Sequence, residues 1–176
     1  MLYSIFKQIR ITQWIKNLFV FIPILVSGSF FNISNFSNSL IAFFIFSISS
    51  SIVYVMNDIK DLKSDQKHPK KCKRPLAKGD ISKIEGYFIL LILITINISL
   101  NIYYSKIISV IITYLIINVF YTFYLKKIPI IDVICISFGF VLRVLAGIIA
   151  TSLIISPWIV SLTFFLSLIL SFGKRN

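Results

Sequence analysis

Long, unbroken blocks of Ile, Leu, Phe and Val divide this chain, and each is close to the length of a membrane-spanning helix. A spanning helix needs about 20 mostly apolar residues, whereas a barrel strand would alternate polar and apolar positions. The blocks are solid and do not alternate. They cover residues 11–31, 40–56, 87–104, 107–125, 128–149 and 153–172. The pattern predicts an all-α, polytopic transmembrane helix bundle of about six helices, in a single domain over residues 1–176.

The composition excludes most other classes of protein. Of 176 residues, 57% are hydrophobic and 14% are charged, whereas about a quarter of the residues in a soluble domain are charged. A disordered chain cannot be so apolar. The chain has two cysteines, too few for a disulfide scaffold or a cysteine-rich zinc domain. A net charge of +12 would suggest a nucleic-acid partner if the protein were soluble. The positions of the charges show whether such a partner is needed to explain them.

The basic residues lie almost entirely on alternate sides of the predicted helices. Sixteen fall before or at the start of the first block, in the loop between the second and third, between the fourth and fifth, or after the sixth, and one falls on the opposite side. The positive-inside rule then places the N-terminus, the long loop and the C-terminus on the cytoplasmic side of the plasma (inner) membrane. The charge is explained without a nucleic-acid partner. A cleaved signal peptide is the alternative for the first block, and the five later spans favour an uncleaved helix.

Three aspartates directly follow the second block, in the loop 57–85. If the helix continues past the membrane, Asp58, Asp61 and Asp65 share one face. A solvated helix would pair acids with lysines three or four residues away, but between residues 58 and 67 only like charges have those spacings. Mg²⁺ reverses the repulsion and commonly joins one or two carboxylates to substrate phosphates. We therefore favour a metal-diphosphate site over a solvated face.

Pro69 should end the helix, and the segment 70–79 that follows is strongly basic. These charges could hold the loop in the cytoplasm and contact anionic lipid. They could also bind phosphate, and Arg74 is then preferred because a guanidinium binds two oxygens at once.

A charged stripe of small residues runs along the fifth block. Asp132 and Arg143 lie about 20° apart in azimuth and about 16 Å apart along the axis, with Gly139, Ala146 and Gly147 nearby. Such a stripe should face the bundle interior. Arg143 either fixes packing through a buried hydrogen bond or lines a polar cavity for an anionic ligand, and we favour the cavity.

Five pieces of sequence, in this order, resemble one family. They are QWIKN at residues 13–17, NDxxDxxxD at 57–65 with His68-Pro69, RPLAxG at 74–79, DVICISFGFVLRVLAG at 132–147 and SFGKR at 171–175. The acidic motif resembles that of the UbiA-type intramembrane prenyltransferase superfamily. The other pieces are similar to its decaprenyl-phosphate phosphoribosyltransferase branch.

The resemblance implies a nine-helix bundle, of which about six helices are present, with a cavity that opens to lipid. It implies Mg²⁺ and diphosphate on the three aspartates, which Asn57 positions. It implies that a polyprenyl phosphate attacks phosphoribosyl pyrophosphate and pyrophosphate leaves, giving polyprenyl-phosphoryl phosphoribose for cell-envelope glycans. The candidate phosphate contacts are Lys16, Arg74, Lys126, Arg143, Lys174 and Arg175.

The chain is shorter than the family pattern, in which the closing motif continues into an acidic residue and further helices. We therefore expect a fragment, a truncated reading frame or one half of a split protein, which needs a completing C-terminal chain for activity. Two alternatives stay open. One is a prenyltransferase of the same superfamily that moves a polyprenyl group from its diphosphate to an aromatic acceptor. The other is a non-catalytic membrane subunit or transporter.

Overall fold

The computed structural model describes residues 2–173, and these residues form helices and connecting turns without a strand. The prediction of an all-α fold is therefore confirmed. The α-helices in chain order are α1 (Leu2–Gln8), α2 (Ile22–Val26), α3 (Ile33–Lys60), α4 (Leu62–Lys67), α5 (Pro75–Lys78), α6 (Lys83–Tyr103), α7 (Ile108–Phe123), α8 (Pro129–Thr151) and α9 (Pro157–Gly173). A 3-10 segment (Ile11–Phe21) precedes α2, and single 3-10 turns cover Lys71–Lys73, Ser105–Ile107 and Leu125–Lys127.

Four helices in the described residues are long and apolar enough to cross a membrane. They are Ile33–Lys60, Lys83–Tyr103, Ser105–Phe123 and Ile130–Thr151. Two further apolar helices are shorter, Ile11–Val26 and Pro157–Gly173. The chain is thus a multi-pass membrane protein. The prediction of about six apolar helices is confirmed in the described residues, and the first and last of them are shorter than the predicted blocks.

The first block differs because most of it is a 3-10 helix, which is more extended than an α-helix. At about 2.0 Å per residue, against about 1.5 Å in an α-helix, the 16 residues of Ile11–Val26 cover about 30 Å. That is about the thickness of the hydrocarbon core. The block then ends in a turn at Gly28, whose φ of 68° suits glycine. The last block begins at Pro157 rather than Leu153.

Helices α3 and α8 occupy the centre of the bundle. Both pack against the 3-10 segment, against α7 and against each other, while α6 packs on α3 and α9 packs on α8. Their contact with the 3-10 segment is close because the facing residues are small. Ser47 and Ser50 of α3 are buried against this segment. On α8, a Cβ at Gly147 would come within 2.0 Å of the Val20 carbonyl oxygen.

The small-residue stripe of α8 therefore faces the bundle interior, as predicted. Ala146 is fully buried, and Gly139 lies next to Arg143 and Tyr114. Close backbone approach through small residues is the usual way that helices associate within a membrane.

The loop after α3 departs from the predicted continuous helix. Helix α3 ends at Lys60, and Asp61 stands between α3 and α4 with φ −88° and ψ 6°. The predicted stop before Pro69 is confirmed: α4 ends at Lys67, and His68 has the extended backbone that proline imposes on the residue before it. Leu76 of α5 is buried in an apolar cluster with Val55, Ile59 and other residues. This cluster fastens the loop to the bundle and places Arg74 beside the end of α3.

We predict that Gly147→Ala strongly destabilises the protein, because the added methyl group meets a backbone oxygen that cannot rotate away. Overpacking commonly costs about 1–3 kcal/mol, and we expect the upper end or more. Thermal unfolding of the purified protein in detergent measures the effect. Gly173→Ala is the matched control, since none of the atoms in the described part of the chain lies within 4 Å of a Cβ built there. Equal melting temperatures for the two variants would contradict the close approach of α8 to the 3-10 segment.

Candidate functional site

One cavity of about 610 Å³ lies among the 3-10 segment, α3, α7, α8 and α9. It brings together predicted site residues that are far apart in the sequence. Those that line it are Lys16, Asn57, Asp58, Asp61, Arg74, Lys126 and Arg143. Asp132 lines it as well and accepts a hydrogen bond from Tyr121 at 2.7 Å. The cavity has a charged end, where α3 and the loop meet, and a deeper end at Arg143.

Asp58 is the most heavily bonded acid at the charged end. Its side chain is buried, and Oδ1 accepts from Arg10 Nη2 at 2.5 Å and from Arg74 Nη1 at 3.0 Å. Oδ2 accepts from the buried Gln8 Nε2 at 3.0 Å. Arg10 also stacks on Tyr54, 4.9 Å from the ring centroid. A buried carboxylate needs such partners, because unpaired burial of a charge costs several kcal/mol.

Asp65 has a different role from the one predicted for it. It is buried and does not line the cavity. Its Oδ2 accepts from Arg74 Nη1 at 2.5 Å, while Lys71 Nζ lies 4.0 Å from Oδ1. Asp58 and Asp65 thus both accept hydrogen bonds from Nη1 of Arg74, and Asp65 acts on the cavity through Arg74.

Asp61 and Asn57 complete the charged end. Lys126 Nζ lies 2.6 Å from both oxygens of Asp61, with both side chains about a quarter exposed. Lys126 therefore lies at the charged end of the cavity, next to Asp61. Asn57 Oδ1 accepts a hydrogen bond from the Thr122 hydroxyl, which ties the end of α3 to α7.

The three aspartates do not converge on one point, contrary to the shared face predicted for a continuous helix. Among residues 2–173, no group of three or more Asp, Glu, His or Cys side chains is placed to hold one metal ion. The helix ends before Asp61, so Asp61 faces Lys126 while Asp65 faces Arg74. Asp58 and Asp61 do line the same cavity as Asn57. Two carboxylates and an amide oxygen fit Mg²⁺, which takes one or two carboxylates together with substrate phosphates.

Arg143 at the deep end is a buried cation whose partners are neutral. It is 5% exposed, and its guanidinium carbon lies 5.0 to 5.5 Å from the ring centroids of Phe46, Tyr114 and Phe140. Nη1 donates to the Gly139 carbonyl at 2.6 Å. Within residues 2–173, no carboxylate forms a salt bridge with it. Aromatic rings offset part of the desolvation cost, but the positive charge is left available to an anion in the cavity.

Asn17 fixes the direction of this guanidinium. Its Oδ1 accepts from Arg143 Nε at 2.7 Å, and its Nδ2 donates to Ser47 Oγ at 2.9 Å and Ser50 Oγ at 3.2 Å. Asn17 is fully buried. Arg143 therefore makes buried hydrogen bonds and also lines the cavity, while the anionic ligand predicted for it stays a prediction.

Lys174 and Arg175, the two remaining predicted phosphate contacts, lie outside the described residues.

Comparison with known proteins gives the family. A model of the UbiA prenyltransferase family matches residues 18–173. The chain belongs to this family. The relatives include the decaprenyl-phosphate phosphoribosyltransferase of Corynebacterium glutamicum, 33% identical over 96% of this chain and 52% of that protein. The enzyme of the same name from Mycobacterium tuberculosis is 30% identical over 98% of this chain and 59% of that protein. The chain therefore spans little more than half the length of these relatives.

A solved structure agrees on the fold. It comes from work on digeranylgeranylglyceryl phosphate synthase in membranes and superposes with a TM-score of 0.76. The superposition covers 99% of this chain and 61% of the solved chain, and the two sequences are 24% identical. This likeness supports the UbiA helix bundle and carries no further argument about substrates.

Sequence reasoning missed Gln8 and Arg10 of this UbiA site and gave Asn17 no role. Arg10 is one of the basic residues that the positive-inside rule explains, and the sequence around a basic residue before a span does not indicate its partner. The weak signal for Gln8 and Asn17 was a polar side chain beside or inside an apolar block. Only the packing of the N-terminal residues against α3 and α8 shows what they contact.

We predict that Arg74→Met destabilises the protein by about 3–5 kcal/mol, the usual cost of leaving a buried carboxylate without its cation. Adding Asp65→Asn should recover part of the loss, because the Arg74–Asp65 contact is coupled. Chemical or thermal unfolding of the single and double variants measures the coupling. Lys73→Met is the control, since Lys73 is exposed in the same loop. Additive effects of Arg74→Met and Asp65→Asn on the free energy of unfolding would contradict the proposed coupling between these two side chains.

Proposed function

We propose that this protein is a membrane transferase that moves 5-phosphoribosyl from phosphoribosyl pyrophosphate to a polyprenyl phosphate, with Mg²⁺ as cofactor. The product is polyprenyl-phosphoryl phosphoribose, a precursor for cell-envelope glycans. The names of the relatives support this choice. We also propose that the charged end of the cavity faces the cytoplasm of the plasma membrane, because nine basic residues lie between Lys60 and Lys83.

The observation that carries the proposal is that one cavity offers two separate places for an anion. At the charged end, Asp58, Asp61 and Asn57 offer oxygen ligands beside Lys126 and Arg74. At the deep end, Arg143 offers a buried cation among aromatic rings. A transferase that joins two phosphorylated substrates needs both places. An apolar prenyl tail packed against a buried guanidinium would gain little binding free energy.

The chemistry assigns a task to each group. Bound Mg²⁺ would neutralise charge on the diphosphate, and Asp58 and Asp61 would hold it. Lys126 and Arg74 lie beside them and stabilise the negative charge that develops as pyrophosphate leaves the anomeric carbon. Arg143 orients the lipid phosphate, whose oxygen forms the new bond to that carbon. A phosphate anion is already deprotonated, so the reaction needs no general base.

The direct test supplies membranes that contain the protein and the completing C-terminal chain with Mg²⁺ and phosphoribosyl pyrophosphate labelled in the ribose. We expect label to enter the lipid phase only when polyprenyl phosphate is added. Consumption of a prenyl diphosphate on an aromatic acid, with the label left in water, would establish the aromatic-acceptor alternative instead. Activity of neither kind would favour a non-catalytic membrane subunit.

Asn17→Asp tests the deep anion site with little change of shape. The carboxylate would take the place of the amide 2.7 Å from Arg143 Nε and neutralise its charge. We expect the KM for polyprenyl phosphate to rise about tenfold or more, the scale of one charged hydrogen bond, while the melting temperature stays equal or rises. Asn17→Leu should instead lower the melting temperature. Unchanged lipid affinity in Asn17→Asp would remove Arg143 from the site.

Asp61→Asn tests the metal. Asp61 is partly exposed and its ion pair with Lys126 is solvated, so the variant should fold. Changing groups around a bound metal typically lowers affinity or activity about 10–100-fold, and we expect at least the upper figure for activity and for Mg²⁺ affinity. Asp80→Asn, which breaks an exposed pair with Lys78, is the control. Full activity of Asp61→Asn, or full activity in excess chelator, would exclude the proposed metal role.

A further inference from the structure

A second, smaller pocket of about 320 Å³ lies beside the main cavity. We call it the side pocket. The end of α1, the start of the 3-10 segment and the segment 70–75 form its walls. Arg10, Asp58 and Arg74 line both spaces. The ion-paired group at Asp58 is therefore the partition between the main cavity and the side pocket.

The side pocket has a strong excess of positive charge. The cations that line it are Lys7, Arg10, Lys70, Lys73 and Arg74, against the single carboxylate of Asp58. Asp58 already accepts hydrogen bonds from both arginines. Within residues 2–173, no ion pair is formed by Lys7, Lys70 or Lys73. Cations gathered around one concavity repel each other, and a bound anion removes that cost.

Side-chain contacts fix the backbone conformation in two walls of the side pocket. Arg10 has φ 55° and ψ 51°, a left-handed conformation that non-glycine residues rarely adopt and that clusters at ligand sites. Its bond to Asp58 and its stacking on Tyr54 hold it there. In the facing wall, His68 Nδ1 accepts from the backbone N–H groups of Lys70 at 3.1 Å and Lys71 at 3.3 Å.

We propose that the side pocket binds a terminal phosphate monoester of the donor, while the diphosphate of the same molecule lies in the main cavity. The identity of the donor rests on the function proposed above. A phosphoribosyl donor carries a diphosphate on one side of its sugar and a phosphate on the other. Two anion sites that share the lining residues Arg10, Asp58 and Arg74 suit such a molecule. A prenyl diphosphate has one anionic end and would leave the side pocket without a role.

The experiment measures ligand binding to the full chain in phosphatidylcholine nanodiscs by titration calorimetry, with ribose 5-phosphate and inorganic pyrophosphate as probes. The test variant is Lys7→Gln/Lys73→Gln. The matched control is Lys63→Gln/Lys67→Gln, which removes the same charge from exposed lysines that line neither space. We expect the test variant to bind ribose 5-phosphate about tenfold more weakly or worse. Its affinity for pyrophosphate should change by less than about threefold, and the control should match the unmodified chain.

Three results would overturn the proposal. The first is unchanged ribose 5-phosphate affinity in the test variant. The second is an equal loss in the control, which would mean a general effect of charge. The third concerns a lipid source of phosphate: in nanodiscs that contain phosphatidylglycerol, the test variant would retain less anionic lipid yet bind ribose 5-phosphate normally.

The labelled transfer assay keeps this proposal separate from the proposed function. Transfer to polyprenyl phosphate with an unchanged donor KM in Lys7→Gln/Lys73→Gln would sink the side pocket and leave the function. Loss of ribose 5-phosphate binding in that variant, in a chain that transfers no label, would keep the pocket and reject the function.

Discussion

The cost of holding charge inside an apolar bundle governs the arrangement of this molecule. Asp58, Asp65 and Arg143 are each at least 95% buried. Removing such a group from water costs several kcal/mol unless partners replace the lost solvent. Each is met by groups from distant parts of the chain: Gln8, Arg10 and Arg74 for the acids, and Asn17 with aromatic rings for the arginine. Helix positions and the site therefore depend on the same contacts.

The two ends of the cavity solve this problem in different ways. At the charged end, opposite charges neutralise one another, and Arg74 is held between two carboxylates. At the deep end, the amide of Asn17 orients Arg143 without cancelling its charge. A carboxylate there would form a stable buried pair and leave nothing for a ligand. The neutral partner keeps an uncancelled positive charge at the cavity within the membrane-spanning part.

Several features follow from local sequence and were predicted correctly. The four central spans, the interior face of the Gly139–Gly147 stripe and the end of α4 before Pro69 depend on hydrophobic length, residue size and the geometry of proline. The first block was wrong in detail, because a 3-10 helix and an α-helix share the same apolar composition. The break at Asp61 was also missed. The break turns Asp61 towards Lys126, 65 residues away. No residue next to Asp61 in the sequence indicates that the helix ends there.

The sequence by itself determined the class of the protein: the number of apolar blocks, the basic loop between the second and third of them, and the acidic motif at the end of the second block. These properties are additive along the chain, since each residue contributes its own transfer free energy or charge. Tertiary structure alone decided which charges meet. It separated Asp65 from the cavity, joined Arg10 to Asp58, and set Asn17 against Arg143, 126 residues away. Those pairings depend on how helices pack, because an ion pair or hydrogen bond forms only where two side chains lie within about 3 Å.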